Sequence, residues 1–413
     1  MRFSRIAFRL GIVSTLLGTV GCTESADQST APHEGRLASP RGPLLIIAPP
    51  VFVANVEQLY AAVNDAANAG ASIFLAPGTY ALSAVGPGAV ARPNGGRLEL
   101  QLDMSLYGIV DDETAVTIDA AALPTSSLTL SFGRTAPVRI GLGSNTIEWL
   151  TVHGNPNAAA GIATELPGTA TTKIRVAHII SGGSSRGIDV RNVGAANAGR
   201  RIEAEIIESD FFGPAVVVGN TEGIRVANFV GADGGVVVAT LNENEFHGFQ
   251  NGCVLANNRS SRAVVDVRSF GDRFFGNTLG CYIAGGLSQA STGVANSNVT
   301  ILEAHGSHFV DNNASIPGID AGGIQIVGAL SATQVNVASN NSVTVSLWGS
   351  KVSDNLGVNF SAYGAFHTLG TGLAGTNNHV TINLHGVSKQ IDVLAIDSYA
   401  VDPNGTNTVT VNR

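Results

Sequence analysis

The sequence predicts an all-β solenoid, one strand-and-corner unit repeated and stacked along a single axis, and two observations carry that reading. First, the stretch from Asn296 to Ala362 holds the same pattern twice. Asn298 to Asn312 and Asn341 to Asn355 each give a period-2 strand, a tight Gly/Asn corner with one apolar residue, and a lead into a second strand at Gly323 or Gly357. Second, the apolar corner residue recurs as Phe211, Phe246, Phe274, Phe309 and Val352, each just past a strand. Residues that repeat at one position per coil are expected to lie over one another inside it.

Composition agrees. Of 413 residues 44% are hydrophobic and only 13% charged, so a large core is available while the charge that decorates helical surfaces is scarce. Fifty glycines against two methionines favour turns and strands. A formal net charge of -8, with lysine only at 173, 351 and 389, argues against a nucleic-acid surface.

In chain order, Arg2, Arg5 and Arg9 precede an apolar run from Leu10 to Val20 that ends at Gly21-Cys22. The run is too short for a membrane span and has the layout of a bacterial export signal. It resembles a lipoprotein signal, which implies lipidation of Cys22 and an exported, outer-membrane or extracellular protein touching a membrane only through that anchor. Residues 1–22 are thus assigned to the signal, 23–50 to a polar, Pro-containing tether, and 51–413 to one long domain.

The domain opens with the one convincing helical pattern, Val56 to Asn68, with Val56, Leu59, Tyr60 and Val63 on one face, Asn55 as N-cap and Gly70 as stop. A strand, Ala71 to Leu75, and the turn Pro77-Gly78-Thr79-Tyr80 follow. This order resembles the N-terminal cap of right-handed parallel β-helix proteins of the pectin-lyase-like kind. The resemblance implies a single-stranded right-handed parallel β-helix whose open first coil is covered by the helix. That superfamily includes lyases, hydrolases, epimerases, esterases and binding proteins, so the resemblance specifies fold more than activity.

Irregular coils follow, with strand-like segments at Leu98 to Leu102, Val116 to Ile118 and Val138 to Ile140. From there first strands begin near Ile147, Ile174, Ile202, Val237, Val265, Thr300, Val343, Val380 and Val409, and second strands at Gly161, Gly187, Gly223, Gly252, Gly280, Gly323 and Gly357. Asn277, Asn312 and Asn355 fall where stacked side-chain amides form a ladder.

Neighbouring coils lie about 4.8 Å apart, so outward residues form a grid. On the first-strand face Glu203, Glu205, Asp266, Arg268, Glu303 and His305 point out. Glu203 or Glu205 and Asp266, two coils or about 9.6 Å apart, suit a water-holding carboxylate pair for inverting glycoside hydrolysis. Arg268, Glu303 and His305 suit β-elimination. Solvated ion pairs are the plainer account of the same charges. On the second strand Asp189, Arg191 and Arg225 are expected to point out, fitted to a carboxylate-bearing or hydroxyl-rich ligand or to an Asp189–Arg225 ion pair. Arg273 belongs to a stacked charged column, Asp210, Glu245, Arg273, His308 and Lys351, and is a further substrate-binding candidate.

Cys253 and Cys281 occupy one repeat position and are expected as stacked core thiols, with a disulfide geometrically allowed. No metal-ligand spacing is present and no cofactor is expected; Asp111-Asp112-Glu113 reads as a calcium turn or, more simply, an acidic turn. Polygalacturonase motifs find only a partial echo in Ala304-His305-Gly306, and the Arg-x-Pro-x-x-Arg element of classical pectate lyases is missing. The function expected is therefore an exported carbohydrate-active protein, a polysaccharide lyase or glycoside hydrolase acting on an extended cell-surface glycan. The competing expectation is a non-catalytic adhesin or structural module that self-associates end to end or side by side.

Overall fold

The computed structural model describes residues 48–130, 133–164, 167–214, 220–288, 294–313, 321–331, 338–367, 375–387, 392–399 and 406–413. The proposed signal, Cys22 and nearly all of the tether lie outside these residues. So do most of the two long loops after Ser288 and Ser331.

The chain is a single-stranded right-handed parallel β-helix. One coil shows the unit: a first strand Arg201–Ile207, a corner, a short strand Asp210–Phe212, and a second strand Glu222–Phe229. First and short strands join a 19-stranded sheet; second strands form a 10-stranded one. Each strand pairs in parallel with its equivalent one coil away, so Ile202, Val237, Val265, Thr300, Val343, Val380 and Val409 form one column.

Two earlier starts need correction. Ile174 lies beside Ala204 and Ile147 beside Val176, so they sit two and four residues further along their strands, respectively, than the repeat count implied. An even slip leaves every side chain on its expected face, because the strand period is two.

The corner aromatics stack as the repeat requires. Phe211, Phe246, Phe274 and Phe309 form a continuous file with ring centroids 5.0, 5.1 and 4.8 Å apart, all fully buried. Beyond them the Asn277 and Asn312 backbone amides donate to the side-chain oxygens of Asn312 and Asn355, at 3.1 and 3.0 Å. A second amide ladder, Asn298, Asn341, Asn378 and Asn407, runs up the turn before the first strands. These ladders satisfy turn N–H groups that no sheet can reach.

The helix spans Val56–Asn64, and the Asn55 side chain accepts from the Gln58 amide at 3.0 Å. It buries Leu59, Tyr60, Ala62 and Val63 against the first coils. A 3-10 turn, Ala66–Asn68, replaces its expected last turn, and Gly70 at φ 79 ends it.

Candidate functional site

The two outer faces carry the same residue types in opposite settings. On the first-strand face, Glu203 lies beside Val238 and Val238 beside Asp266, while Glu205, Thr240, Arg268 and Glu303 form the next column. The predicted grid is therefore present as positions, and it is a solvated one. Glu203 is held by Arg201 at 2.7 Å and Lys173 at 3.3 Å, which together keep its carboxyl below the usual range. Arg175 bridges Glu205 and Glu148, both at 2.5 Å, and Arg268 approaches Glu303 to 3.6 Å. A shallow groove of ≈ 460 Å³ runs over Lys173, Arg175, Arg201, Glu203 and Glu205. His305 is stacked between Phe270 and Trp348 at 5.2 and 6.0 Å, so its ring belongs to an aromatic column.

The second-strand face is a correction to the sequence reading. Asp189, Arg191 and Arg225 leave the coil as expected but do not reach solvent: they are 1%, 1% and 8% exposed. The face is covered, and the charges form a buried cluster. Arg225 lies beside Asp189 in the register, yet its carboxylate partner is Glu222, three residues back. Glu222 also takes Arg186, Nε to Oε2 at 2.8 Å, and Arg191 Nε approaches Asp189 Oδ2 to 3.2 Å. Arg134 arrives from an earlier coil. The guanidiniums of Arg134, Arg191 and Arg259 surround the Phe229 ring at 5.5, 5.3 and 5.7 Å.

These residues wall a cleft of ≈ 360 Å³ lined by Arg134, Arg186, Glu222, Arg225, Phe229 and Tyr282 over an apolar floor of Val254, Ala256 and Leu287. Burial alone would raise the Asp189 carboxyl; Arg191, Arg186, Arg225 and Arg134 outweigh it and hold it low. Burial, with Arg191 and Arg186 nearby, lowers the Arg134 guanidinium to about 10. Burial also pushes the Tyr282 phenol up, so it stays protonated and can donate. Among the described residues the cluster has five arginines against two carboxylates.

Sequence reasoning missed Arg134, Arg186, Glu222, Arg259, Phe229 and Tyr282. Arg186 and Glu222 do carry a signal, since each precedes a second-strand glycine and they pair in register. Arg134 sits in an irregular turn with no periodic signal.

The charged column that opens the short strands is in register as expected: Asp210, Glu245, Arg273, His308 and Lys351. Arg273 binds Glu245 at 2.7 Å and lies over the Phe275 ring at 4.6 Å. Cys253 and Cys281 are bonded as a disulfide rather than left as thiols, because the coil spacing puts their Cα atoms 4.5 Å apart. Asp112 is occupied by the Thr114 amide and hydroxyl, which makes the acidic run a turn. No group of three metal-ligating side chains occurs among the described residues. Gly183-Ser184-Ser185-Arg186-Gly187 has the Gly-x-Ser-x-Gly spelling, but it leads into a strand, so no strand-to-helix elbow exposes a nucleophile.

Fold and site together define a right-handed parallel β-helix with an arginine-lined cleft on its second-strand sheet. No protein-family model and no curated protein matches the chain. Similar solved structures include the Azotobacter vinelandii mannuronan C-5 epimerase AlgE4 A-module, at 12% identity over 87% of this chain and 100% of that one, TM-score 0.40. Pectate lyase Pel9A matches at 14% identity over 83% and 78%, TM-score 0.35, and the PL6 family alginate lyase AlyGC at 11% over 88% and 74%, TM-score 0.27. The fold is established by the chain's own strand register, and those values carry nothing about chemistry.

Proposed function

We propose that this is an exported carbohydrate-active protein whose site is the arginine cleft and whose ligand is a carboxylated, uronate-containing glycan. One observation carries the reading: a chain of net charge -8 places three arginines, Arg134, Arg186 and Arg225, around a cleft with an aromatic and apolar floor. Guanidiniums bind carboxylates in a planar, two-pronged manner, and the floor suits the carbon face of a sugar ring. The reaction class that fits is one begun by removing the proton next to a carboxylate, by elimination or epimerisation, since neutralising that carboxylate is what lowers the barrier. Tyr282, kept protonated by burial, can donate a hydrogen bond to the bound sugar.

Hydrolysis on the first-strand face is supported less well. An inverting pair needs one carboxyl kept protonated near neutrality, and Arg201 and Lys173 act on Glu203 in the opposite sense. Export rests on the Arg2, Arg5, Arg9 and Cys22 pattern and is supported by the Cys253–Cys281 disulfide, a bond of oxidising compartments. In the producing bacterium, Cys22→Ala is expected to move the protein from membrane to soluble fractions.

The test of function is binding and turnover of polyuronates against neutral glycans, read by calorimetry and by ultraviolet absorbance of unsaturated ends. Arg225→Gln is expected to remove the preference for the anionic glycan. Equal binding of neutral and anionic glycans by the unaltered protein would sink the assignment.

A further inference from the structure

The corner between first and short strands requires one residue per coil in the left-handed region, and the eight coils that show it split into two halves. Gly271, Gly306, Gly349 and Gly386 fill it at φ 66, 61, 57 and 64. In the preceding coils it is filled by Trp149, His178, Glu208 and Glu243, at φ 59, 52, 44 and 55. Space does not explain the split, because a Cβ at Gly306 or Gly349 would meet nothing within 4 Å. Glycine takes this conformation freely, whereas an L side chain is strained in it. Four successive coils therefore hold strained residues where glycine would serve the backbone better, and strain of this kind gathers at working sites.

The four side chains form one outward column. The Trp149 and His178 rings stack at 3.8 Å and 5°, and His178 Nδ1 is 3.7 Å from Glu208 Oε2. Glu243 follows one coil beyond Glu208, placing like charges on neighbouring coils, an arrangement that sheets ordinarily avoid. Gly108 precedes Trp149 and bears no side chain, so the stack begins at the indole. Structural benefit accounts for the ring pair; it does not account for two exposed carboxylates held in the left-handed region on neighbouring coils.

We infer that the column Trp149, His178, Glu208 and Glu243 is a saccharide-binding strip, separate from the arginine cleft, that holds the hydroxyl-rich part of a glycan laid along the helix axis. Its chemistry is that of pyranoside recognition: the indole face turned away from His178 for the C–H face of a sugar, and imidazole and carboxylate groups for hydroxyls. The rise per coil, about 4.8 Å, is of the order of one sugar residue, so successive sugars meet successive side chains. This inference rests on the reading that the protein acts on a glycan.

The experiment measures affinity by calorimetry for oligogalacturonate, oligomannuronate and cello-oligosaccharide, together with thermal stability. It uses the full chain, Trp149→Gly, Trp149→Tyr and Arg225→Gln. For whichever saccharide the unaltered protein binds best, Trp149→Gly is expected to weaken binding roughly tenfold without loss of melting temperature, and Trp149→Tyr to restore most of it. Unchanged affinity in Trp149→Gly, or equal loss in both Trp149 variants, overturns the strip. If Arg225→Gln alone fails to alter the anionic preference, the cleft assignment fails and the strip stands. If none of the three saccharides binds the unaltered protein, both fall.

Discussion

The two outer faces of this β-helix carry the same carboxylates and guanidiniums at the same coil spacing, and differ in what water does to them. On the first-strand face Glu203, Glu205 and Glu303 meet their arginines in solvent, where an ion pair contributes about 0–1 kcal/mol. On the second-strand face Asp189, Glu222, Arg186 and Arg191 are enclosed, so each group depends on its partners to offset desolvation. The lesson is that a charged grid read from sequence acquires meaning only when its cover is known.

The largest expected effect follows from that contrast. Glu222→Gln removes the carboxylate shared by Arg186 and Arg225 and leaves two buried guanidiniums without their charge partner. It is expected to destabilise the fold by about 3–5 kcal/mol in chemical denaturation. A loss no greater than that of an exposed pair would erase the distinction between the faces.

The next effect lies in the core between them. Asp272 is fully buried in the polar turn stack, accepting from the Asn244 amide at 2.8 Å and the Ser269 hydroxyl at 2.6 Å. Burial raises its carboxyl from 3.8 to about 6, against those hydrogen bonds. The folded state thus binds the proton more tightly than the unfolded chain. Its contribution is fully present below pH ~4 and is lost as pH rises through about 6, a fall of roughly 3 kcal/mol at ~1.4 kcal/mol per unit. Asp272→Asn is expected to flatten that slope between pH 4 and 7; a slope retained in the variant would place it elsewhere.

How much of this could be read in advance follows from periodicity. The phenylalanine file, the Asn277–Asn312–Asn355 ladder and the stacked column from Asp210 to Lys351 were legible, because one position per coil maps onto one column. The burial of Asp189, Arg191 and Arg225 was not, because the period-2 rule gives a side chain's face and says nothing of what lies over that face. Ile147 and Ile174 were misplaced by four and two residues, since their long strands Gly143–His153 and Thr172–Gly182 run through the corner without a break that a repeat count could detect. The left-handed corner itself was hidden by its occupants: glycine announces such a position, whereas Trp149 and His178 conceal it.

At that corner, which joins first strand to short strand, Glu243→Gly is expected to stabilise the protein by about 1 kcal/mol, because the backbone is already in glycine's conformation and the side chain is exposed. Glu208→Gly is a weaker case, since it also removes the contact with His178. A melting temperature that falls in Glu243→Gly would mean that the side chain supports the fold and that its backbone cost is offset locally.

The smallest effect belongs to the first-strand face. Glu205→Gln with Asp266→Asn removes one partner of Arg175 and one half-exposed carboxylate while leaving Glu148 in place to hold the arginine. The expected change is within about 0.5 kcal/mol and shrinks further at high salt, as it does for screened surface pairs. Turnover of any polyuronate substrate should be unaltered, since neither side chain lines the arginine cleft. A large loss of turnover with unchanged stability would return the chemistry to this face and leave the buried arginines a structural role.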